Sequence, residues 1–216
     1  MYSLKLLLSI FALCFSISIN AQDTTKTVFE KVESEAEYPG GAAAWIKYVQ
    51  KTMSSKVPEK DAPVGRYQVI ARFVVSKDGS VTDIKAETKF GYGMEDEVTR
   101  VIEGSGKWIP AMQNGKPVNA YRRQPVTFVV DSDDFTVSGT DKYTLYTNTD
   151  NTITIAAKKV KAEDIGINIR GMKAVPLGGG RFIIRTDKPG RLIMEIVNTK
   201  KDDAVVGEVS FEVAAK

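Results

Sequence analysis

The chain has 216 residues, with 30 Lys and Arg against 27 Asp and Glu, and its net charge is +3 at pH 7. This charge is too small to indicate nucleic acid or an anionic membrane as a partner. The sequence holds no histidine and one cysteine, which excludes Ser-His-Asp catalysis, the usual zinc sites and an internal disulfide. We therefore expect a non-catalytic protein with no metal and no cofactor, although carboxylate pairs, lysine and tyrosine stay available as catalytic groups.

The first residues have the pattern of a secretory signal peptide. Lys5 precedes an almost wholly apolar run from Leu6 to Ile19, and Ala21 offers a small residue at a cleavage site. The run is shorter than the roughly 20 residues that span a bilayer. We predict a periplasmic or exported protein in which residues 1–21 are removed by cleavage after Ala21, with an uncleaved membrane anchor as the alternative.

A helix is predicted directly after Pro39. Trp45, Val49 and Met53 recur at i, i+4 and i+8, which is the spacing of one apolar helix face. Pro39 suits the first position of a helix, where its missing N–H leaves no hydrogen bond unmade.

Three strands and a second helix follow in chain order. Alternating apolar residues predict a strand over 66–75, and a tight turn at 77–80 returns the chain into a second strand over 81–87. Periodic apolar positions then predict a helix over 94–102, and a third strand covers 119–130.

The order of these elements predicts an α+β fold for residues 28–130. The simplest packing is a three-stranded antiparallel sheet with both helices on one face. Pro125 has no N–H to donate to a neighbouring strand, so we place the last strand at the edge of this sheet.

The composition and periodicity of the sequence change after residue 130. Residues 131–142 are acidic and polar, and we predict a solvated linker there, because the spacing of the carboxylates lacks the pattern of a calcium loop. Residues 143–216 carry short apolar runs separated by turn signals, which predict a small all-β, Ig-like sandwich. The predicted strands are Tyr143–Thr147, Thr152–Ala156, Ile165–Ile169, Arg181–Thr186, Arg191–Val197 and Val205–Val213.

Three motifs in the first unit carry a family resemblance. EYPGG precedes the first helix, VVSKDGSVTDIKAE spans the hairpin, and KWIPAMQNGKPVNAYRRQPVTFVV leads into and forms the third strand. Together these motifs resemble a TonB C-terminal domain of the kind common in Bacteroidetes, over about residues 28–130. The resemblance implies the sheet and helices described above and a periplasmic binding role.

The second unit carries a weaker resemblance. YTLYTNTDNTITIAAKKV, GGGRFIIRTDKPGRLIMEIVN and GEVSFEV are similar to β-domains near the C-terminus of GldM, a component of gliding and type IX secretion machinery. This likeness covers about residues 143–213.

The TonB resemblance also implies a binding site. In that family a short partner segment adds as a strand to the sheet edge, so the matching edge in this chain is the strand over 119–130. The predicted partner-binding residues are Tyr121, Arg122, Arg123, Gln124, Val126 and Phe128. The arginines would meet an acidic or polar partner; equally, charge and proline on this strand could guard the edge against aggregation.

These observations favour a non-catalytic periplasmic binding or scaffold protein linked to outer-membrane transport. Its expected partner is an envelope protein or peptide segment, with an outer-membrane receptor or a peptidoglycan-associated complex as candidates. The alternative is a TonB-type energy transducer that keeps its N-terminal anchor. A weaker third hypothesis is a hydrolase that acts on peptidoglycan through paired carboxylates.

Overall fold

The computed structural model describes residues 27–139, 141 and 143–216. The predicted signal peptide, residues 1–21, lies outside the described residues. Of these described residues, 48% lie in strands and 13% in helices. None of the helices in the described ranges is long and apolar enough to cross a membrane.

The N-terminal part of the described chain contains two helices and five strands. In chain order they are β1 (Val28–Phe29), α1 (Gly41–Thr52), β2 (Val64–Val75), β3 (Val81–Ala86), α2 (Met94–Glu103), β4 (Ala111–Gln113) and β5 (Lys116–Val130). β2 pairs antiparallel with β5 on one side and with β3 on the other. Buried residues of both helices share one hydrophobic core with β2 and β5.

β2 shows the alternation that the sequence predicted. Its core-facing side chains are at most 1% exposed: Tyr67, Val69, Ala71, Phe73 and Val75. Side chains at every second position of a strand point to the same face, so one face of β2 packs on the helices. Burying each large apolar side chain contributes about 1.5–3 kcal/mol to stability.

The two helices match their sequence patterns to different degrees. α2 buries the four apolar residues that predicted it: Met94, Val98, Val101 and Ile102. α1 begins at Gly41, after Gly40 in the left-handed region at φ 85°. Pro39 therefore lies before the helix, and its predicted place at the first helical position was wrong.

The turn between β2 and β3 also fixes the segment that follows α2. Gly79 has a φ of +83°, and a Cβ on this residue would lie 2.3 Å from the carbonyl oxygen of Trp108. The Trp108 N–H donates to the Gly79 carbonyl at 2.9 Å. Glycine is needed here both for the turn and for this close approach of two backbones.

The C-terminal part of the chain adds eight strands to the described structure. They are β6 (Phe135–Gly139), β7 (Thr144–Tyr146), β8 (Asn151–Ala157), β9 (Ile165–Ile169), β10 (Val175–Gly178), β11 (Arg181–Ile184), β12 (Gly190–Asn198) and β13 (Ala204–Ala214). A four-stranded sheet has the order β10-β11-β8-β6. Its inner side chains share a second hydrophobic core with β7, β9, β12 and β13.

The predicted fold class was wrong. A three-stranded antiparallel sheet with two helices, joined by a linker to a separate Ig-like sandwich, is not what the chain forms. Within the described residues the protein is mostly β, with a mixed sheet of nine strands and a second sheet of four. The large sheet runs β1-β5-β2-β13-β12-β9, with β3, β4 and β7 attached beside this path.

The two parts of the chain join at β2, because β3 pairs with only part of one side of this strand. β3 pairs with β2 only from Ala71 to Val75, which leaves the start of β2 free to accept another strand on that side. β13 pairs there in parallel, with Val209 opposite Val64 and Ser210 opposite Gly65. A Cβ on Gly65 would lie 2.5 Å from the Ser210 carbonyl oxygen, so the approach depends on glycine.

The segment predicted as a linker contains a strand. Residues Phe135–Gly139 form β6, which pairs antiparallel with β8 at the edge of the four-stranded sheet. Phe135 is buried, and its ring occupies the space beside Gly207 on β13. The polar composition of residues 131–142 concealed this strand, because Phe135 is its one fully buried apolar side chain and Val137 packs on the core while partly exposed.

An arginine of β12 strengthens the junction between the two parts. The guanidinium carbon of Arg191 lies 4.2 Å from the ring centre of Tyr67 and 4.1 Å from that of Phe90. Burial between these rings lowers the pKa of Arg191 from its usual value. A partly desolvated cation between two aromatic faces is attracted by both rings, so this contact stabilises the junction.

Candidate functional site

The strand that carries the predicted site residues is paired unequally on its two sides. β5 pairs with β2 continuously from Ala120 to Val130. On its other side β1 pairs only at Asn119 and Ala120. Within the ranges that the structure describes, no strand pairs with that second side beyond Ala120.

The register of β2 and β5 determines which backbone groups face the unpaired side. Ile70 turns its backbone toward β3: its carbonyl accepts the Glu87 N–H at 2.8 Å, and its N–H donates to Thr88 Oγ1 at 3.2 Å. Pro125 lies opposite Ile70. Opposed residues of an antiparallel pair either both point inward or both point outward, so Pro125 also points away from the ladder. Its missing N–H removes no bond between β5 and β2.

The same alternation applies to the neighbouring residues of β5. Arg123, Thr127 and Val129 share the direction of Pro125, because the register from Ala120 to Val130 is continuous. We call the outward backbone of Arg123–Val129 the open edge. It offers the N–H and C=O groups of three residues and the C=O of Pro125.

The side chains of the predicted site residues divide between the two faces of the sheet. Val126 and Phe128 are 5% and 6% exposed and belong to the core under the helices. Arg122 and Gln124 lie on the same face, because they are four and two positions from Val126 and every second side chain of a strand shares a face. Tyr121 and Arg123 lie on the opposite face, so the six residues do not form one surface.

Arg123 is occupied by an ion pair on the face that lacks the helices. Its Nε and a terminal nitrogen donate to both carboxylate oxygens of Glu87 at 2.9–3.1 Å. The hydrogen bond from Arg123 lowers the pKa of Glu87. Beside this pair, the Arg72 guanidinium lies 3.6 Å from the ring centre of Tyr121 and pairs with Glu30 at 2.5 Å.

A groove lies on the helix side, between α1 and the open edge. It has a volume of about 480 Å³. We call it the edge groove, and the lining residues that matter most are Tyr38, Trp45, Ile46, Val49, Arg122, Gln124 and Val126. The edge groove therefore adjoins the unpaired backbone of the same strand.

Aromatic packing forms the floor of the edge groove. Trp45 and Trp108 are 6% and 4% exposed, and their ring centres lie 5.4 Å apart. Tyr38 contacts both, at 5.3 and 5.6 Å. Both tryptophans belong to the core, and only their margins reach the groove.

Arg122 is the one site arginine that lines the edge groove. Its Nη1 lies 3.6 Å from Oε2 of Glu35, a long and partly exposed ion pair. Its Nε is buried and makes no hydrogen bond to any described residue. A guanidinium has five N–H donors, so Arg122 keeps donor capacity for a further acceptor.

Sequence reasoning missed the α1 side of this site. Ile46 is 54% exposed and lines the groove, although it is a large apolar residue. It stands one position away from Trp45, on the flank of the predicted apolar stripe. An isoleucine on a helix flank beside a predicted edge strand was the available signal.

The geometry defines a class of protein, namely one that presents an unpaired strand edge beside a groove. Residues 68–130 match the family model of the Gram-negative bacterial TonB protein C-terminal, a match that runs from within β2 to the end of β5. The match takes in less than a third of the chain and indicates an envelope protein with a TonB-like domain. No curated protein matches the chain. The comparisons support neither the Bacteroidetes subtype nor the likeness of residues 143–213 to GldM.

Proposed function

We propose that the protein is a non-catalytic binding protein of the cell envelope that captures an extended peptide segment as an added strand. The observation that carries this proposal is the open edge of β5, where three residues offer both backbone groups outward. The TonB-like match over residues 68–130 supports an envelope role of this kind. The partner would be a segment of an envelope protein, such as an outer-membrane receptor.

Strand addition suits this edge energetically. Each backbone hydrogen bond contributes about 0.5–1.5 kcal/mol net, and several in a row give useful affinity for a short peptide. Pro125 interrupts the row of donors, so the added strand would gain most from Thr127 and Val129. Alternate side chains of the added strand would then give selectivity.

A proline at Thr127 tests the proposal. Thr127→Pro removes an outward N–H and leaves the ladder to β2 intact, in the same manner as Pro125. Thr127→Val keeps the N–H and is the matched control. The probe is a set of peptides selected on the full chain from a phage-displayed library of random 12-residue sequences.

We expect Thr127→Pro to weaken peptide binding about fivefold in fluorescence anisotropy, with Thr127→Val close to wild type. Equal urea midpoints for the two variants show that the fold is kept. Binding that is unchanged by Thr127→Pro for every selected peptide, or a library that yields no binder, would contradict strand addition at this edge.

We also infer that the protein is exported and cleaved after Ala21. Mass spectrometry of the mature N-terminus tests this inference in the native organism. A chain that begins at Gln22 supports a released binding protein. A retained Met1 in an inner-membrane fraction would instead support the anchored transducer.

A further inference from the structure

A second cleft lies where the two parts of the chain meet, on the side of β2 that faces away from β5. It has a volume of about 350 Å³, near the lower end of the range of ligand pockets, which is about 300–1,000 Å³. We call it the junction cleft, and its polar lining residues are Arg66, Gln68, Thr88, Arg191 and Glu212. None of its lining residues belongs to the edge groove, so the two sites are separate.

The junction cleft coincides with a gap in the strand pairing of β2. β13 pairs with β2 only at Val64 and Gly65, and β3 pairs only from Ala71 onward. Gln68 lies between these contacts, and its backbone points to the same side as that of Ile70, two positions along the strand. No described strand pairs with Gln68 on that side. The sheet is therefore open beside Gln68.

Arg191 of β12 extends toward this gap, and the described residues leave most of its hydrogen-bond donors unused. Among those residues it donates only to Arg66, through a terminal nitrogen 3.5 Å from the backbone carbonyl oxygen, which is long for a hydrogen bond. Glu212 lies directly opposite Arg191 in the pairing of β12 with β13, yet the two side chains form no ion pair. A guanidinium has five N–H donors, so Arg191 has donors available for a ligand.

The two aromatic rings that contact Arg191 are held by hydrogen bonds of their own residues. The Tyr67 hydroxyl donates to the Pro63 carbonyl at 2.6 Å. The Glu95 carboxylate accepts the backbone N–H of Phe90 at 2.6 Å. Rings fixed in this way position the guanidinium before a ligand arrives, which reduces the ordering cost of binding.

The charges of the junction cleft favour an anion with one negative charge. Arg66 is exposed, and its side chain makes no ion pair with a described residue. Two arginines and one glutamate line the cleft, so one positive charge is in excess. The aromatic rings partly desolvate Arg191, which strengthens its attraction for an anion because the effective dielectric constant is lower than in water. A second negative charge on the ligand would be repelled by Glu212.

The shape of a guanidinium and the apolar walls of the cleft specify the anion further. A carboxylate is planar, and it accepts two parallel hydrogen bonds from one guanidinium. Ile70, Phe90 and Val213 supply apolar lining next to the charged groups. Burial of an apolar group against them is favourable in proportion to the area removed from water. An inorganic anion would gain nothing from these walls.

We propose that the junction cleft binds a small organic monocarboxylate. Its carboxylate accepts hydrogen bonds from Arg191, and its apolar part packs against Ile70 and Val213. Such a ligand contacts both parts of the chain, because Arg66 belongs to β2 and Arg191 to β12. Binding would therefore stabilise the junction. The cleft lies on the opposite side of β2 from β5, so this binding does not depend on strand addition at the open edge.

Titration of the isotope-labelled full chain, followed by NMR, tests this proposal. The probes are isovalerate, its uncharged analogue isovaleramide, and inorganic phosphate, each added to about 20 mM at constant ionic strength. We expect isovalerate to bind with a Kd of about 1 mM and to shift the amide signals of Gln68 and Arg191. Isovaleramide and phosphate should bind at least about tenfold more weakly, because the first lacks the charge and the second lacks the apolar part.

Arg66→Gln is the decisive variant, because this side chain is exposed and its loss should leave the fold intact. We expect it to weaken isovalerate binding about threefold. Arg191→Gln should weaken the binding at least about tenfold. Arg170→Gln removes an exposed arginine outside the cleft and is the matched control. Thr127→Pro should bind isovalerate as the wild type does, which separates this site from the open edge.

Several outcomes would overturn the proposal. Isovalerate that binds no more tightly than isovaleramide would remove the role of the charge. Binding that both Arg66→Gln and Arg191→Gln leave unchanged, or signal shifts confined to residues outside the cleft, would place the ligand elsewhere. Phosphate that binds more tightly than isovalerate would contradict a carboxylate ligand. Signals that show no saturable shift with isovalerate up to about 20 mM would contradict the site itself.

Discussion

The start of β2 and the second half of β5 both lie at margins of the three strands β2, β3 and β5, yet only the first margin is covered. β13 closes the side of β2 at Val64 and Gly65, and Arg191 stacks across the junction. The open edge of β5 has no such cover among the described residues. An uncovered strand edge invites pairing with another strand, and the proposed function uses this property of the open edge.

A valine at Gly65 would disrupt the pairing of β13 with β2, and we expect it to lower stability the most. The added side chain would meet the Ser210 carbonyl oxygen, where even a Cβ lies at 2.5 Å. We expect Gly65→Val to lower the free energy of unfolding by about 3 kcal/mol or more, measured by urea denaturation.

A substitution on the open edge of β5 should affect stability much less. Val129→Thr keeps the shape of a side chain that is 51% exposed, so we expect a change of less than about 0.5 kcal/mol. A Gly65→Val variant that is as stable as Val129→Thr would contradict the close packing of β13 on β2.

A substitution of Glu97 tests how the two helices are held together. This buried carboxylate accepts hydrogen bonds from the Arg100 guanidinium at 2.7 Å and from the Ser54 N–H at 2.5 Å, so it ties the segment after α1 to α2. The bond from Arg100 is the main cause of the lowered pKa of Glu97, and the Ser54 N–H adds to it. We expect Glu97→Gln to lower the free energy of unfolding by about 2 kcal/mol at neutral pH.

The sign of the pH dependence follows from that lowered pKa. A carboxylate with a folded pKa below its unfolded value stabilises the protein above the unfolded pKa of about 4.3. The stabilisation is lost as the pH falls through the folded pKa. The difference between wild type and Glu97→Gln in urea denaturation should therefore shrink from pH 7 to about pH 3. A difference that grows toward acid pH would contradict this role of Glu97.

A substitution of Arg191 tests the junction between the two parts of the chain, and we expect a smaller loss of stability. Arg191→Met keeps an apolar stem between Tyr67 and Phe90 but removes the cation, so we expect a loss of about 1 kcal/mol. Arg170→Met, at an exposed position after β9, is the control and should change stability by less than about 0.5 kcal/mol. Equal unfolding free energies for the two variants would show that the stacking of Arg191 does not stabilise the protein.

Local patterns explain what the sequence could predict. The period of two in β2 and the spacing of Met94, Val98 and Ile102 identified elements that bury one face each, because that rule acts within a few residues. Pro125 suggested an edge strand for a local reason as well. The division of Arg122 and Arg123 between two faces could also have been predicted from strand alternation.

The overall sheet could not be predicted in the same way. The pairing of Val64 with Val209 joins residues far apart in the sequence. No local sequence pattern in either strand identifies the strand with which it pairs. β6 was missed because Phe135 is the only large side chain that it buries in a polar segment. The edge groove depends on where α1 lies relative to β5, which is a matter of tertiary packing.

The central claim is that the open edge is unpaired, and amide hydrogen exchange by NMR tests it most directly. Fast and slow exchange should alternate along β5 in the free protein. The N–H groups of Thr127 and Val129 should exchange fast, while those of Val126 and Phe128, directed into the ladder with β2, should be protected. Slow exchange at Thr127 and Val129 that equals the exchange at Val126 and Phe128 would show that the edge is already covered and would contradict the account.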